Sequence, residues 1–233
     1  MRKNIVVILG LLSILTVSAQ KVTQDVTLQQ IYEELSAADK VQILDTRSAT
    51  EFEVNHLEGA VQVDLTDSIQ LSRTIASLDP NVLTITYSIG AGRSVRLAKL
   101  LKEKGFSKVY FLPRGIPEWV AAGYPIVSNV KSEYTPGQIS ELLNSHDVVF
   151  IDYASRHCPG CVKLQPVVEE LKAEYAGRVN VLRIELDENI DAIKAQKISL
   201  LPTLRLYKIG EQVWEHIGNL PKEKIVSQIN KAL

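Results

Sequence analysis

The sequence predicts two α/β domains in tandem, and three observations carry this. Short apolar runs suited to buried strands alternate with helical apolar periodicities along most of the chain. That alternation breaks once, over the mostly polar stretch Val-Ser-Asn-Val-Lys-Ser-Glu-Tyr-Thr at 127–135. The length, 233 residues, suits two small domains or one large one. Hydrophobic residues make up 45% and the formal net charge is −1, enough apolar material for packed cores. No basic stripe with interleaved aromatics is present, so no nucleic-acid partner is expected.

The first residues are expected to lie outside the fold. Arg2 and Lys3 precede an apolar run from Ile5 to Val17, and Val17-Ser18-Ala19 places small residues where a signal peptidase cuts. A signal peptide over 1–19 is expected, an uncleaved membrane anchor being the other reading, since the run falls short of the roughly 20 residues of a spanning helix. Either way the chain is expected to be exported to a periplasmic or other extracytoplasmic compartment, where disulfides persist.

The first domain is expected over 21–128. Leu28, Ile31, Tyr32 and Leu35 follow helical spacing. Val41 to Asp45 reads as a strand. Ser48 caps a short helix, with Glu51 as its capping-box partner. Gly59-Ala60 turns into a strand at Val61-Gln62-Val63. Asn81 to Tyr87 is a third strand, Arg93 to Lys104 a helix closed by Gly105, Val109 to Leu112 a fourth strand, and Pro117 to Ala122 a last helical turn. Strands alternating with helices imply a parallel sheet covered on both faces.

Residues in this half carry a resemblance. Asp45-Thr46-Arg47, Glu51-Phe52 and His56-Leu57-Glu58-Gly59-Ala60, then the loop Ser88-Ile89-Gly90-Ala91-Gly92-Arg93-Ser94, then Gly105-Phe106, Gly115-Ile116, Trp119 and Gly123-Tyr124-Pro125, together resemble a rhodanese domain. The resemblance implies a persulfide-carrying cysteine at the first loop position, where this chain has Ser88. A hydroxyl does not hold a sulfane sulfur as a thiolate does, so no sulfurtransferase activity is expected. His56 is expected to be structural. Arg114 stands where the family commonly has glycine. Two readings remain for the loop. Ser88, Gly90, Gly92 and Arg93 could cradle an anion at the following helix's N-terminus, or the domain could be a scaffold or docking module.

The second domain is expected over 135–233, after a linker at 129–134. Its order is helix (from Thr135-Pro136), strand (Asp147 to Tyr153), helix (Cys158 to Tyr175), strand (Val179 to Leu186), helix (Ile190 to Gln196), a hairpin of strands (Thr203 to Lys208 and Gln212 to His216), and a closing helix marked by Ile225, Ile229 and Leu233. The only two cysteines of the chain, Cys158 and Cys161, fall where the central strand passes into the long helix. A dithiol at such a place is a redox motif. Two cysteines and four scattered histidines do not make a four-ligand zinc site, so no metal and no cofactor are expected.

Asp152, Cys158-Pro159-Gly160-Cys161, Pro166, Asp187, Leu201-Pro202-Thr203 and Gly218 resemble a thioredoxin domain from end to end. A cysteine at a helix N-terminus has a lowered pKa. Cys158 is therefore expected to attack a substrate disulfide and Cys161 to resolve the mixed disulfide. The resemblance implies that Asp152 is a buried carboxylate that shuttles the Cys161 proton. It implies a cis peptide bond at Pro202, with the Leu201 backbone available to an extended substrate. Two departures from the family pattern stand out. The inner pair is Pro-Gly rather than Gly-Pro, and His157 replaces a tryptophan. A cationic His157 or Arg156 would further favour the thiolate. The expected function is thiol–disulfide exchange on protein substrates, with a membrane redox partner and with direction open. The rival is a binding protein whose first-domain pocket captures an anion or partner and whose CxxC is structural.

Overall fold

The computed structural model describes residues 24 and 26–233. The expected signal peptide at 1–19 lies outside the described residues.

In the first domain, the helix α1 (Leu28–Ala37) is opened by a Thr27–Gln30 capping box. It leads to β1 (Val41–Asp45), α2 (Ala49–Val54), β2 (Asn55–His56), β3 (Ala60–Gln62), α3 (Ser68–Ser77), β4 (Leu83–Tyr87), α4 (Gly92–Glu103), β5 (Val109–Phe111), α5 (Ile116–Ala121) and β6 (Val127–Ser128). The sheet runs β3-β1-β4-β5 and every pairing is parallel. β4 is buried at every position, as a central parallel strand must be. The capping box expected at Ser48 and Glu51 opens α2.

Asp45-Thr46-Arg47 is an internal brace. Arg47, 1% exposed, donates from Nη2 to Asp45 Oδ2 at 2.7 Å and from Nη1 to Asn55 Oδ1 at 3.1 Å. A buried guanidinium survives only with such partners. His56 sits as expected of a structural residue, its Nδ1 2.9 Å from Phe52 O and its ring stacked on Phe52.

In the second domain, α6 (Pro136–Leu143) precedes β7 (Val148–Ala154), α7 (Pro159–Glu174) and β8 (Asn180–Glu185). A single 3-10 turn (Leu186–Glu188), α8 (Ile190–Ala195), β9 (Thr203–Lys208), β10 (Glu211–Ile217) and α9 (Lys222–Ala232) follow. The sheet order is β10-β9-β7-β8, with β7 parallel to β8 and antiparallel to β9. β7 is buried along its whole length. α7 continues through Pro166 without a break. The hairpin turns at Ile209 and Gly210, both at positive φ.

The segment between the domains is held at several points. β6 pairs back with β2, Asn129 N donates to Val54 O, Glu133 N to Glu188 O, and Tyr134 N to the buried Asn189 side chain. The domains also share apolar packing. Ile116, Trp119 and Val120 of α5 belong to one buried cluster with Ile139 of α6 and Ile190 and Ile193 of α8. This joint brings the Ser88 loop of the first domain up to the dithiol of the second.

Candidate active site

The site is built where β7 hands the chain to α7. The buried strand ends at Ala154, and Ser155 turns the chain, its Oγ accepting from His157 N and donating to the buried Asp187. Cys158 then caps α7. Its Sγ accepts the Cys161 N–H at 3.5 Å and donates to Leu201 O at 3.7 Å. Both cysteines are free thiols; Cys158 is 8% exposed and Cys161 0%. Of the two sulfurs, the one with an exposed edge belongs to Cys158.

Position makes the two thiols unequal. The Cys158 thiol is pulled down to about 6, first by a hydrogen bond from the Cys161 side chain, against the opposing effect of burial. The amides of Cys161 and Gly160 at the start of α7 and the Arg183 charge add to this. Cys161 is pushed up, first by its hydrogen bond to Cys158 and then by burial. One sulfur is thus held toward the thiolate while the other holds its proton.

Behind Cys161 lies Asp152, 0% exposed. Burial raises its carboxyl to about 7, against the opposing pull of Arg183. Arg183 Nη1 donates to Asp152 Oδ2 at 2.6 Å and to Cys161 O at 3.2 Å, and its Nε donates to Glu185 Oε1 at 2.7 Å. Asp152 Oδ1 is buried with no partner among the described residues. A carboxyl that titrates near neutrality and keeps one oxygen free suits proton transfer.

The Leu201–Pro202 peptide is cis, and Leu201 packs against the cysteines. The Pro-Gly order of the motif has a steric counterpart. A Cβ on Gly160 would fall 3.3 Å from Pro202 Cδ and 3.4 Å from Asn219 Oδ1. A larger residue there would press on the cis-proline loop.

The cations differ from expectation. Arg156 pairs with Glu188, so its charge is offset locally. Arg183, across the ladder from Asp152, is the cation that lowers Cys158. The alternation Arg183-Ile184-Glu185 on a strand next to β7 was the signal available for it. His157 lines a cleft instead of touching the thiol through any hydrogen bond. That cleft, of about 480 Å³, is bounded by Ser88, Ile89, Gly90, Gly92, Arg93, His157 and Pro159. A larger crevice of about 550 Å³, near Gly123, Lys131 and Lys194, contains no thiol.

Ser88 is buried and its Oγ accepts from Arg93 Nε at 3.0 Å. Arg93 Nη2 also lies 3.6 Å from Glu51 Oε2. Among the described residues no imidazole or carboxylate bonds to the Ser88 hydroxyl, so nothing there activates it as a nucleophile.

Comparison with known proteins agrees with this division. The rhodanese-like domain model matches residues 27–122, and the thioredoxin model matches 130–231. "Thioredoxin 2" of Chlorobaculum tepidum is 33% identical over 92 residues, which is 40% of this chain and 84% of that protein. A thioredoxin of Pyropia yezoensis is 34% identical over 91 residues, 39% of this chain and 85% of its own. One from Rickettsia conorii is 34% identical over 93 residues, covering 40% and 89%. With a capping thiol, a buried second thiol, a carboxyl behind it and a cis-proline beside it, the chain belongs to the thioredoxin family, its thioredoxin domain following a rhodanese-like one.

Proposed function

We propose that this protein is an exported thiol–disulfide oxidoreductase acting on protein disulfides. The observation that carries the reading is the inequality of the two thiols at the start of α7, with Asp152 behind the buried one. The Cys158 thiolate attacks one sulfur of a substrate disulfide. A mixed disulfide forms and the first substrate thiolate leaves. Cys161 gives its proton to Asp152 and attacks Cys158 Sγ. The Cys158–Cys161 disulfide forms and the second substrate thiolate departs, so two electrons pass to the substrate. Leu201 O, at the lip of the site, supplies a backbone acceptor to an extended substrate.

Repeated turnover needs a donor that reduces Cys158–Cys161 again, and for an exported protein that partner is a membrane-bound thiol reductase. The first domain is not a sulfurtransferase in this reading, because Ser88 stands where the sulfur-carrying cysteine belongs. It serves as a docking module. An anion role for Ser88, Gly90, Gly92 and Arg93 is less well supported, because Arg93 is already engaged by Ser88 and Glu51.

Disulfide reduction with dithiothreitol as electron source tests the reading. Wild type is expected to turn over and Cys158→Ser to be inert while remaining folded. Equal inertness of both proteins sinks the proposal, and thiosulfate sulfurtransferase activity would overturn the view of Ser88. The potential of the Cys158–Cys161 pair then sets direction: a value near about −270 mV marks a reductant and one near about −120 mV an oxidant.

A further inference from the structure

The first domain contributes one side chain to the dithiol that the exchange chemistry does not use. Ile89 follows Ser88 in the loop and packs, beside Leu201, against Ala154, Cys158 and Cys161. Leu201 also carries the carbonyl that faces Cys158 Sγ. Ile89 therefore covers apolar ground that a substrate lying along Leu201 would otherwise use.

The loop is held in that position. Ile116 N donates to Ser88 O at 2.9 Å, and Arg93 Nε donates to Ser88 Oγ at 3.0 Å. Gly115, at φ +76°, brings its backbone so close that a Cβ there would fall 2.4 Å from Ser88 O and 2.8 Å from Gly90 N. Backbone lies on backbone, so Ile89 does not swing aside freely. Beside it remains the cleft of about 480 Å³ between the loop and His157 with Pro159, the residues on either side of Cys158. That space suits a few residues of extended chain rather than a folded surface, and Cys158, between its lining residues His157 and Pro159, is only 8% exposed.

We propose that Ile89 is a specificity-determining residue, which narrows the approach to Cys158 so that disulfides on flexible, extended segments are exchanged in preference to disulfides held in the surface of a folded protein. The proposal rests on the oxidoreductase reading above. An attacking thiolate must line up with the sulfur–sulfur bond it breaks. A mobile strand can thread the cleft and reach that alignment. A rigid surface meets Ile89 first.

The test compares two substrates in the full-length protein: a synthetic peptide dimer joined by one disulfide, and insulin as the folded disulfide. For Ile89→Ala, kcat/KM on insulin is expected to rise about fivefold or more, while the value on the peptide changes by less than about twofold. For Ile89→Trp, the insulin value is expected to fall by a similar factor with the peptide less affected. The ratio of the two substrates is the readout, because partial unfolding would lower both alike. An unchanged ratio in both variants overturns the role of Ile89. If wild type reduces the peptide and Cys158→Ser does not, that failure leaves the oxidoreductase reading standing. If wild type reduces neither, both readings fall.

Discussion

Cys158 and Cys161 have the same side chain, and their surroundings shift their acidities in opposite directions. Cys158 receives hydrogen bonds from the first turn of α7 and feels Arg183, while Cys161 is fully buried beside Asp152. Alkylation of the reduced protein by iodoacetamide should therefore rise with pH through a midpoint near about 6, followed by mass spectrometry at Cys158. The same shift has a sign for stability. The folded thiol titrates below the roughly 8.5 of a free one, so the thiolate stabilises the reduced fold above that value and the contribution is lost as pH falls through about 6. Reduced wild type should exceed Cys158→Ser in melting temperature by more at pH 9 than at pH 5. For Asp152→Asn, turnover at neutral pH should drop about tenfold or more, with a mixed disulfide accumulating at Cys158. Quenched-flow trapping checks it, and unchanged turnover would remove Asp152 from proton transfer. The cysteines and Asp152 were legible in the sequence through their order and spacing. Arg183 left only the alternation Arg183-Ile184-Glu185 as a sequence signal; its pairing with Asp152 was not legible, because it is set by the register of β7 with β8 and not by distance along the chain.

At the scale of elements, the legible parts are those with local signals. The capping boxes at Thr27, Ser48 and Thr135 mark three helix starts, and the mostly apolar runs of β4 and β7, buried at every position, mark the two central strands. α3 was not among the expected elements; none of its residues is fully buried, and its local start signal is the Asp67 cap. β2 and β6 were not among them either, because two-residue strands exist only through each other. The Ser88 loop is the element whose position matters most, and Gly115 holds it. Gly115→Ala combines a left-handed backbone with a Cβ placed 2.4 Å from Ser88 O. A loss of about 2 kcal/mol or more in chemical denaturation is expected. A neutral result would show that the loop moves easily and would weaken the case that it walls the dithiol.

For the whole molecule, the consequence lies in the joint. One buried cluster runs from Trp119 and Val120 through Ile139 to Ile190 and Ile193, so each domain buries part of its apolar surface against the other, beside a core of its own. Calorimetry of the full chain should show one cooperative transition, and two well-separated transitions would mean the joint contributes little. Two α/β domains, their order, the dithiol at a helix start, and a serine rather than a cysteine at position 88 were all determined by the sequence alone. They rest on periodicities, caps and residue identities, which act over a few positions along the chain. The approach of Ile89 to Cys158, the pairing of Arg183 with Asp152 and the clamp of Gly115 on the loop were decided only by the tertiary structure. Each joins segments far apart in sequence, and such contacts depend on how whole sheets and helices pack, which no local pattern encodes.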